Sequence, residues 1–391
     1  MSGRFACGSA EQGPVLPRID SRWSVSGARA RIFSGDFFER MISLSRLPDV
    51  LPSSHFFQRR GMSDLRFDPI FEQWVAVSEI RRERPLEFFP ADQLRKQIIC
   101  PFCRGNEDET PGTIAAWDRL GRRLELPGTD RWSSRVIPNK YPTYEVRGRR
   151  TAEEDTGPYE TCNSPGLQEL IIPTPRHVCS LSELELEEFA VGLIAAQQRI
   201  DSWRQSGAVR HAMLFKNCRF EAGASIEHAH FQLLGSPLLS RQLEARAERF
   251  REHLSRKGVT PLEELVAFEE QQEVRMVART KHFLMVCPFA SRWAFQIWII
   301  PRTRPPAFSE CPPEMLDELA QLGRTAVSKL EVLLSLPAYN WMLHQLPFSD
   351  TASDHWFVEI SPRLSKIAGY ELGTEIWVNA VAPEAAVKRL R

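Results

Sequence analysis

Three side chains able to do chemistry stand at alternate positions in Ser225-Ile226-Glu227-His228-Ala229-His230-Phe231-Gln232. In an extended strand, residues two apart share a face, so His228, His230 and Gln232 would point together. A neutral imidazole is a metal ligand or a nucleophile. The Gln232 amide is a hydrogen-bond donor suited to phosphate oxygens. The run Ala222-Gly223-Ala224-Ser225 reads as a turn before the box, and its serine could meet the same oxygens.

A second cluster is Cys100-Pro101-Phe102-Cys103-Arg104-Gly105-Asn106-Glu107. Cys-x-x-Cys on a tight turn brings two thiolates to one tetrahedral centre. A redox dithiol shares the spacing but normally opens a helix after a strand. Here Pro101 and Gly105-Asn106-Glu107 favour a turn, and hence zinc. There is no second Cys-x-x-Cys, so the remaining ligands must be His, Asp or Glu. Of nine histidines, His177 and His228 are the best placed, and Cys179 competes as a ligand two residues beyond His177.

Several segments, in order, carry a resemblance. They are Phe67-Asp68-Pro69 through Trp74-Val75-Ala76-Val77, then Arg81 to Pro85, the Cys100–Glu107 knuckle, and Arg135-Val136-Ile137-Pro138-Asn139-Lys140-Tyr141-Pro142. Next come Thr174-Pro175-Arg176-His177, Phe215-Lys216-Asn217 and the Ser225–Gln232 box. The second half adds Pro288-Phe289-Ala290, His355-Trp356-Phe357-Val358-Glu359-Ile360 and Lys366-Ile367-Ala368-Gly369-Tyr370-Glu371-Leu372-Gly373-Thr374. Over residues 62–391 the chain resembles galactose-1-phosphate uridylyltransferases and their relatives in the histidine-triad superfamily.

The resemblance implies an α+β fold of duplicated histidine-triad-like halves, with antiparallel sheets flanked by helices. It implies a nucleotidyltransferase working by double displacement. His230 attacks the α-phosphorus, the sugar phosphate leaves, and a second sugar phosphate takes the nucleotide. Imidazole suits the task, because it is nucleophilic at neutral pH and its phosphoramidate is readily displaced. The uridylyl form exchanges UMP between UDP-glucose and galactose 1-phosphate. The alternatives are a relative acting on ADP-glucose or a dinucleoside polyphosphate, and a zinc-stabilised nucleotide-binding protein without turnover. Intact His230 and Gln232 argue against the last.

The same resemblance assigns roles residue by residue. Gln232 serves the α-phosphate. Arg81, Arg84, Asn217 and Ser225 contact phosphates, Arg being suited to bidentate bonds. Asn139 meets the base or ribose. Lys366, Tyr370 and Glu371 meet the hexose phosphate. Cys100, Cys103, His177 and His228 form a closed, structural zinc set that pins the strand beside His230. The sequence also departs from the pattern. Ala229 stands between the histidines where family members usually have Pro, and Glu227 precedes them. Glu359 and Ser361 occupy a region where some relatives carry His-x-His for a second metal, so no second iron or zinc site of that type is expected. The family is often dimeric, which makes a homodimer an expectation here.

The elements that must position these residues read as a repeat. Leu170-Ile171-Ile172-Pro173 is a strand, followed by a loop and a helix from Glu183 to about Trp203. Ile297-Trp298-Ile299-Ile300-Pro301 is followed by a Pro-rich loop and a helix from Pro313. The stretch from the closing proline to the next histidine strand is alike in both copies, leading to His228 and to His355. Equal spacing suggests a duplicated unit. The second copy lacks the alternating histidines, so one half should carry chemistry and the other complete the pocket. The expected organisation is 62–240 for the half with the knuckle and nucleophile, and 241–391 for the other. A further helix, about Leu239 to Lys257, carries Arg and Glu at helical spacing and reads as a solvated face.

Composition sets bounds. With 50 basic and 50 acidic residues in 391, no polyanion partner such as nucleic acid is implied. Substrate phosphates must be met by local Arg and Asn. Eight scattered cysteines make no disulfide framework, which fits a reducing, cytoplasmic setting. No run of 18 apolar residues exists to span a membrane. Residues 1–61 have no lysine and little periodicity, and read as a disordered tail or a mis-assigned start before Met62.

Overall fold

The computed structural model describes residues 64–77, 99–126, 131–144, 166–350, 352 and 354–391. Arg81, Arg84 and the segment 1–61 lie outside the described residues. Among the described residues the chain builds one large antiparallel sheet and one small sheet. The small sheet holds β1 (Asp64–Asp68), β2 (Gln73–Val77) and β13 (Trp377–Asn379), with β13 parallel to β2.

The large sheet is a duplication. Its first half contains β3 (Ala115–Trp117), β4 (Ser134–Pro138), β5 (Leu167–Ile172), β6 (His211–Cys218) and β7 (Phe231–Ser236). Its second half contains β8 (Met276–Arg279), β9 (Phe283–Val286), β10 (Ile297–Pro301), β11 (Tyr339–His344) and β12 (Phe357–Pro362). The spatial order is β3-β4-β5-β7-β6-β11-β12-β10-β9-β8, so each half has the same internal order and the halves meet at β6 and β11. Helix α1 (Leu186–Ser206) joins β5 to β6, and α4 (Pro313–Leu334) joins β10 to β11. The histidines mark the same correspondence. His228 bonds the Thr174 carbonyl and His355 the Pro301 carbonyl, each 54 residues upstream.

Alternation decides what each face does. In β6, Ala212, Leu214 and Cys218 are buried beneath α1 and α4, while His211, Met213, Phe215 and Asn217 face the other way and are half-buried. Phe231 of β7 stacks on Phe189 of α1 and meets Trp341 of β11 edge-on, tying both halves into one core. Helix α1 starts later than the expected Glu183. A 3-10 turn, Leu181–Glu183, capped by Ser180, intervenes before a Glu185/Glu188 capping box, and Gly207 at φ 65° ends the helix. Gly192 lets α1 approach the end of β5, since a Cβ there would stand 2.8 Å from Pro173.

The second half's other face is covered by α2 (Arg241–Lys257) and α3 (Pro261–Gln272). This corrects the reading of the first of these as only a solvated face. Arg241, Gln242, Glu244, Ala245 and Glu248 are exposed, but Arg246, Ala247 and Phe250 are buried against Phe71, Trp298 and Phe357. Two short helices, α5 (Gly369–Thr374) and α6 (Pro383–Leu390), close the chain. No helix among the described residues is long and apolar enough to cross a membrane.

Candidate active site

The histidine box enters its strand later than its alternation suggests. Only Phe231 onward is ladder. His228, Ala229 and His230 precede it, held by the Ala229 N–H donating to the Val178 carbonyl at 2.6 Å. Both imidazoles still lie on one side, edge-on to Phe102 of the knuckle at 5.9 and 5.2 Å. Gln232 continues that face and stands opposite Phe215 of β6.

Each imidazole has one nitrogen committed to a carbonyl. His228 Nε2 donates to Thr174 O at 2.9 Å, leaving Nδ1 with its lone pair. His230 Nδ1 donates to His228 O at 2.7 Å, leaving Nε2 free as a nucleophile. Burial pushes both imidazoles down to about 4, and the buried Lys216 adds to the shift, so both are neutral at pH 7. The ammonium of Lys216 is itself held by the Cys179 carbonyl at 2.8 Å.

The Cys/His set assembles. Cys100, Cys103, His177 and His228 offer ligand atoms all within 4.8 Å of one another. Cys100 Sγ is 3.5 Å from His228 Nδ1, and Cys103 Sγ is 3.4 Å from His177 Nδ1 and 3.6 Å from His228 Nδ1. Four ligands at zinc's usual bond lengths, placed tetrahedrally, stand about 3.5 Å apart. The donor set and spacing therefore fit a metal ion with no position left open. Cys179 is not part of it. Its sulfur meets Cys218 at 3.6 Å instead.

Braces that the sequence reading missed hold these ligands. Arg176, beside His177, clamps Glu188 of α1 through Nε at 2.9 Å and Nη2 at 2.5 Å, and Thr174 Oγ1 donates to the same carboxylate at 2.6 Å. At the knuckle, Trp132 Nε1 donates to Glu107 at 2.8 Å, and Arg135 lies over the Trp132 ring at 5.2 Å. An acidic residue on the first turn of the following helix was the available signal for Arg176, because it gives a loop arginine a fixed partner.

The expected phosphate contacts are partly gathered. Asn217 of β6 accepts at Oδ1 from Asn340 Nδ2 of β11 at 2.8 Å, which turns its own Nδ2 toward Gly223 O at 3.3 Å. Asn340 also donates to Ala222 O at 2.9 Å, so one second-half side chain fixes both Asn217 and the turn leading to Ser225. Ser225 is exposed at the head of the box. Asn139 uses Oδ1 to accept from the Tyr141 N–H at 2.9 Å, a turn-forming bond. On α5, which packs on β13, Tyr370 is exposed and Glu371 half-buried, and Glu371 caps its own helix by accepting from the Ala368 N–H. Lys366 is exposed just before α5. The structure does not bond Tyr370 or Glu371 to the nucleophile strand.

In the second half Phe357 stands two residues after His355, where His230 stands after His228. Glu359 takes the place of Gln232, opposite Met342 as Gln232 is opposite Phe215. Its carboxylate is bonded to Arg292 at 2.8 and 3.0 Å, to Ser361 at 2.6 Å and to His344 at 3.0 Å.

Comparison with known proteins finds relatives over most of the chain. Residues 178–391 match a family model described as a domain of unknown function, DUF4921. The ADP-glucose phosphorylase of Arabidopsis thaliana is 30% identical over 337 residues, 84% of this chain and 92% of that protein. The chain belongs to the galactose-1-phosphate uridylyltransferase family. The galactose-1-phosphate uridylyltransferase of Thermotoga maritima is 26% identical, over 84% of this chain and 98% of that protein. The crystal structure of the Arabidopsis ADP-glucose phosphorylase with bound ADP-glucose superposes with a TM-score of 0.70 at 28% identity, covering 84% of this chain and 99% of that one. As a member of the uridylyltransferase family the protein is a nucleotidyltransferase of α+β fold.

Proposed function

We propose that the protein moves a nucleotidyl group from a sugar nucleotide to a phosphate acceptor by way of His230. The observation that carries this reading is the state of that residue: buried, neutral, Nδ1 committed to the His228 carbonyl and Nε2 free. The Nε2 lone pair attacks the α-phosphorus. The bond from phosphorus to the bridging oxygen breaks, and the sugar phosphate leaves with the electron pair. An oxygen of the acceptor phosphate then attacks the same phosphorus and displaces the imidazole. Gln232 donates to the α-phosphate oxygens as charge moves onto them. Asn217 and Ser225 hold phosphate oxygens, with Arg81 and Arg84 assigned there by resemblance. By the same resemblance Asn139 meets the nucleoside, and Lys366, Tyr370 and Glu371 the hexose phosphate.

Zinc is the proposed ion for Cys100, Cys103, His177 and His228, in a structural role. Two thiolates and two imidazoles suit it, and the closed set leaves it no substrate position. What the set does for catalysis is positional, since His230 follows a ligand by two residues. On this reading 62–240 carries the nucleophile and metal set, and 241–391 completes the pocket.

The first reading of the donor pair is UDP-glucose with galactose 1-phosphate. A second reading, ADP-glucose as donor, is favoured by the higher identity to the Arabidopsis ADP-glucose phosphorylase, 30% against 26% for the Thermotoga maritima uridylyltransferase. The test is turnover of each sugar nucleotide with galactose 1-phosphate or orthophosphate as acceptor, in parent and His230→Asn protein. The expected result is turnover with one donor, lost by at least about 10³-fold in the variant while metal content stays the same. Normal turnover by His230→Asn would sink the proposal.

A further inference from the structure

We infer that the second half keeps a non-catalytic pocket for a hydroxylated phosphomonoester, in the place corresponding to the substrate site of the first. The duplication sets the position. Phe215 stands opposite Gln232 in one half and Met342 opposite Glu359 in the other, so His344, two residues beyond Met342, is the counterpart of Asn217. His344 lies opposite Phe357, the counterpart of the nucleophile. Beside His344 opens a cavity of about 290 Å³, lined also by His211, Leu234 and Ser236 of the first half and by Ser240 and Arg246 of α2. Leu234 and Ser236 are two and four residues along β7 from Gln232, about 7 and 13 Å at strand rise, so the cavity lies further along the same face of the sheet than the phosphate-handling end of the site.

The chemistry of the lining points to an anion. Arg246 is 8% exposed. Its Nη2 donates to Gln345 O at 3.2 Å, and its Nε has no hydrogen-bond partner. No carboxylate lines the cavity. The nearby Glu359 carboxylate is occupied by Arg292, Ser361 and His344, and Asp354 accepts from the Leu346 N–H. Asp354 and Glu359 lie near enough to favour the charged Arg246, but Arg249 and Arg292 oppose it, so the cost of burial is only partly compensated and a bound anion relieves the remainder. The first turn of α2 faces the same space, with Ser240 capping only the Leu243 N–H, so further amides and the positive helix end are available to an anion.

The two imidazoles specify the rest of the ligand. His211 donates through Nε2 to Gln345 O at 3.2 Å, and His344 through Nε2 to Glu359 at 3.0 Å. Each therefore keeps an Nδ1 lone pair, an acceptor for a hydroxyl. Phe357 has no lone pair to offer phosphorus, so the pocket binds without covalent chemistry. A sugar monophosphate combines the charge and the hydroxyls.

The test is calorimetric titration of the full metal-bound chain carrying His230→Asn, which cannot turn over, with glucose 1-phosphate and, separately, orthophosphate. Two glucose 1-phosphate sites per chain are expected. One of them should weaken at least tenfold in Arg246→Gln, and also in Gln242→Glu, an exposed first-turn change that adds negative charge at the cavity without disturbing the helix. No site, or only sites indifferent to both substitutions, overturns the inference, whereas a single site that weakens in both upholds it and counts instead against the hexose-phosphate site of the proposed function. Orthophosphate binding at an Arg246-dependent site without glucose 1-phosphate binding there overturns the sugar assignment. If Arg246→Gln does not fold, Gln242→Glu decides alone. Binding is read in a protein without turnover, so failure here is separable from failure of the nucleotidyl-histidine reading.

Discussion

At His230 three local facts agree. Burial keeps it neutral, the carbonyl of His228 selects its tautomer, and Phe102 limits where the ring can lie. An unperturbed histidine loses its lone pair below about pH 6.5. Here the folded value is about 4, so protonation, which abolishes nucleophilicity, is delayed. We expect kcat/KM to stay flat through pH 6.5 and to fall only on approach to pH 4, measured with metal content monitored at each point. An acid limb centred near 6.5 would show that His230 is not held neutral in this way. The residue types were legible in the sequence, since His228, His230 and Gln232 at alternate positions announce a shared face. Their partners were not. Lys216 and Asn340 act through contacts with residues distant in the chain, and no local pattern reports which carbonyl a buried ammonium will find.

At the scale of elements, the site depends on a knuckle and a helix packed against a strand end. Replacing Cys100 by Ser removes a thiolate from the tetrahedral set. Metal content should fall below one ion per chain and the thermal midpoint should drop, as read by elemental analysis and calorimetry. Full metal content in Cys100→Ser would move the site elsewhere. Gly192→Ala tests the packing. Helix propensity alone favours alanine by about 1 kcal/mol. The new Cβ would stand 2.8 Å from Pro173, and overpacking of this kind costs about 1–3 kcal/mol. Packing should win, so the variant should be destabilised in urea by about 1 kcal/mol. Its metal affinity should also fall, because Pro173 adjoins Thr174, whose carbonyl orients His228. A variant as stable as the parent would show that α1 has slack against β5. The knuckle was legible because Cys-x-x-Cys is a local signature. Helix α2 was half legible. Its charge pattern showed the exposed stripe and hid Arg246, because a buried arginine interrupts the apolar periodicity that marks a core face.

At the scale of the whole molecule, the described residues form a duplicated fold, with His230 in one half and Phe357 in its place in the other. The equal spacing to His228 and His355 showed the duplication in sequence. The join between β6 and β11 did not show, since pairing across the centre of a sheet leaves no mark on the local pattern of either strand. That join lets Asn340 of one half set the amide of Asn217 in the other. The central claim, a nucleotidyl group carried on His230, is tested most directly by intact-mass spectrometry after incubation with UDP-glucose and, separately, ADP-glucose, with no acceptor. The account predicts a mass gain equal to UMP from the first or AMP from the second, labile to acid and absent from His230→Asn. No adduct from either donor, or an adduct that persists in His230→Asn, would contradict it.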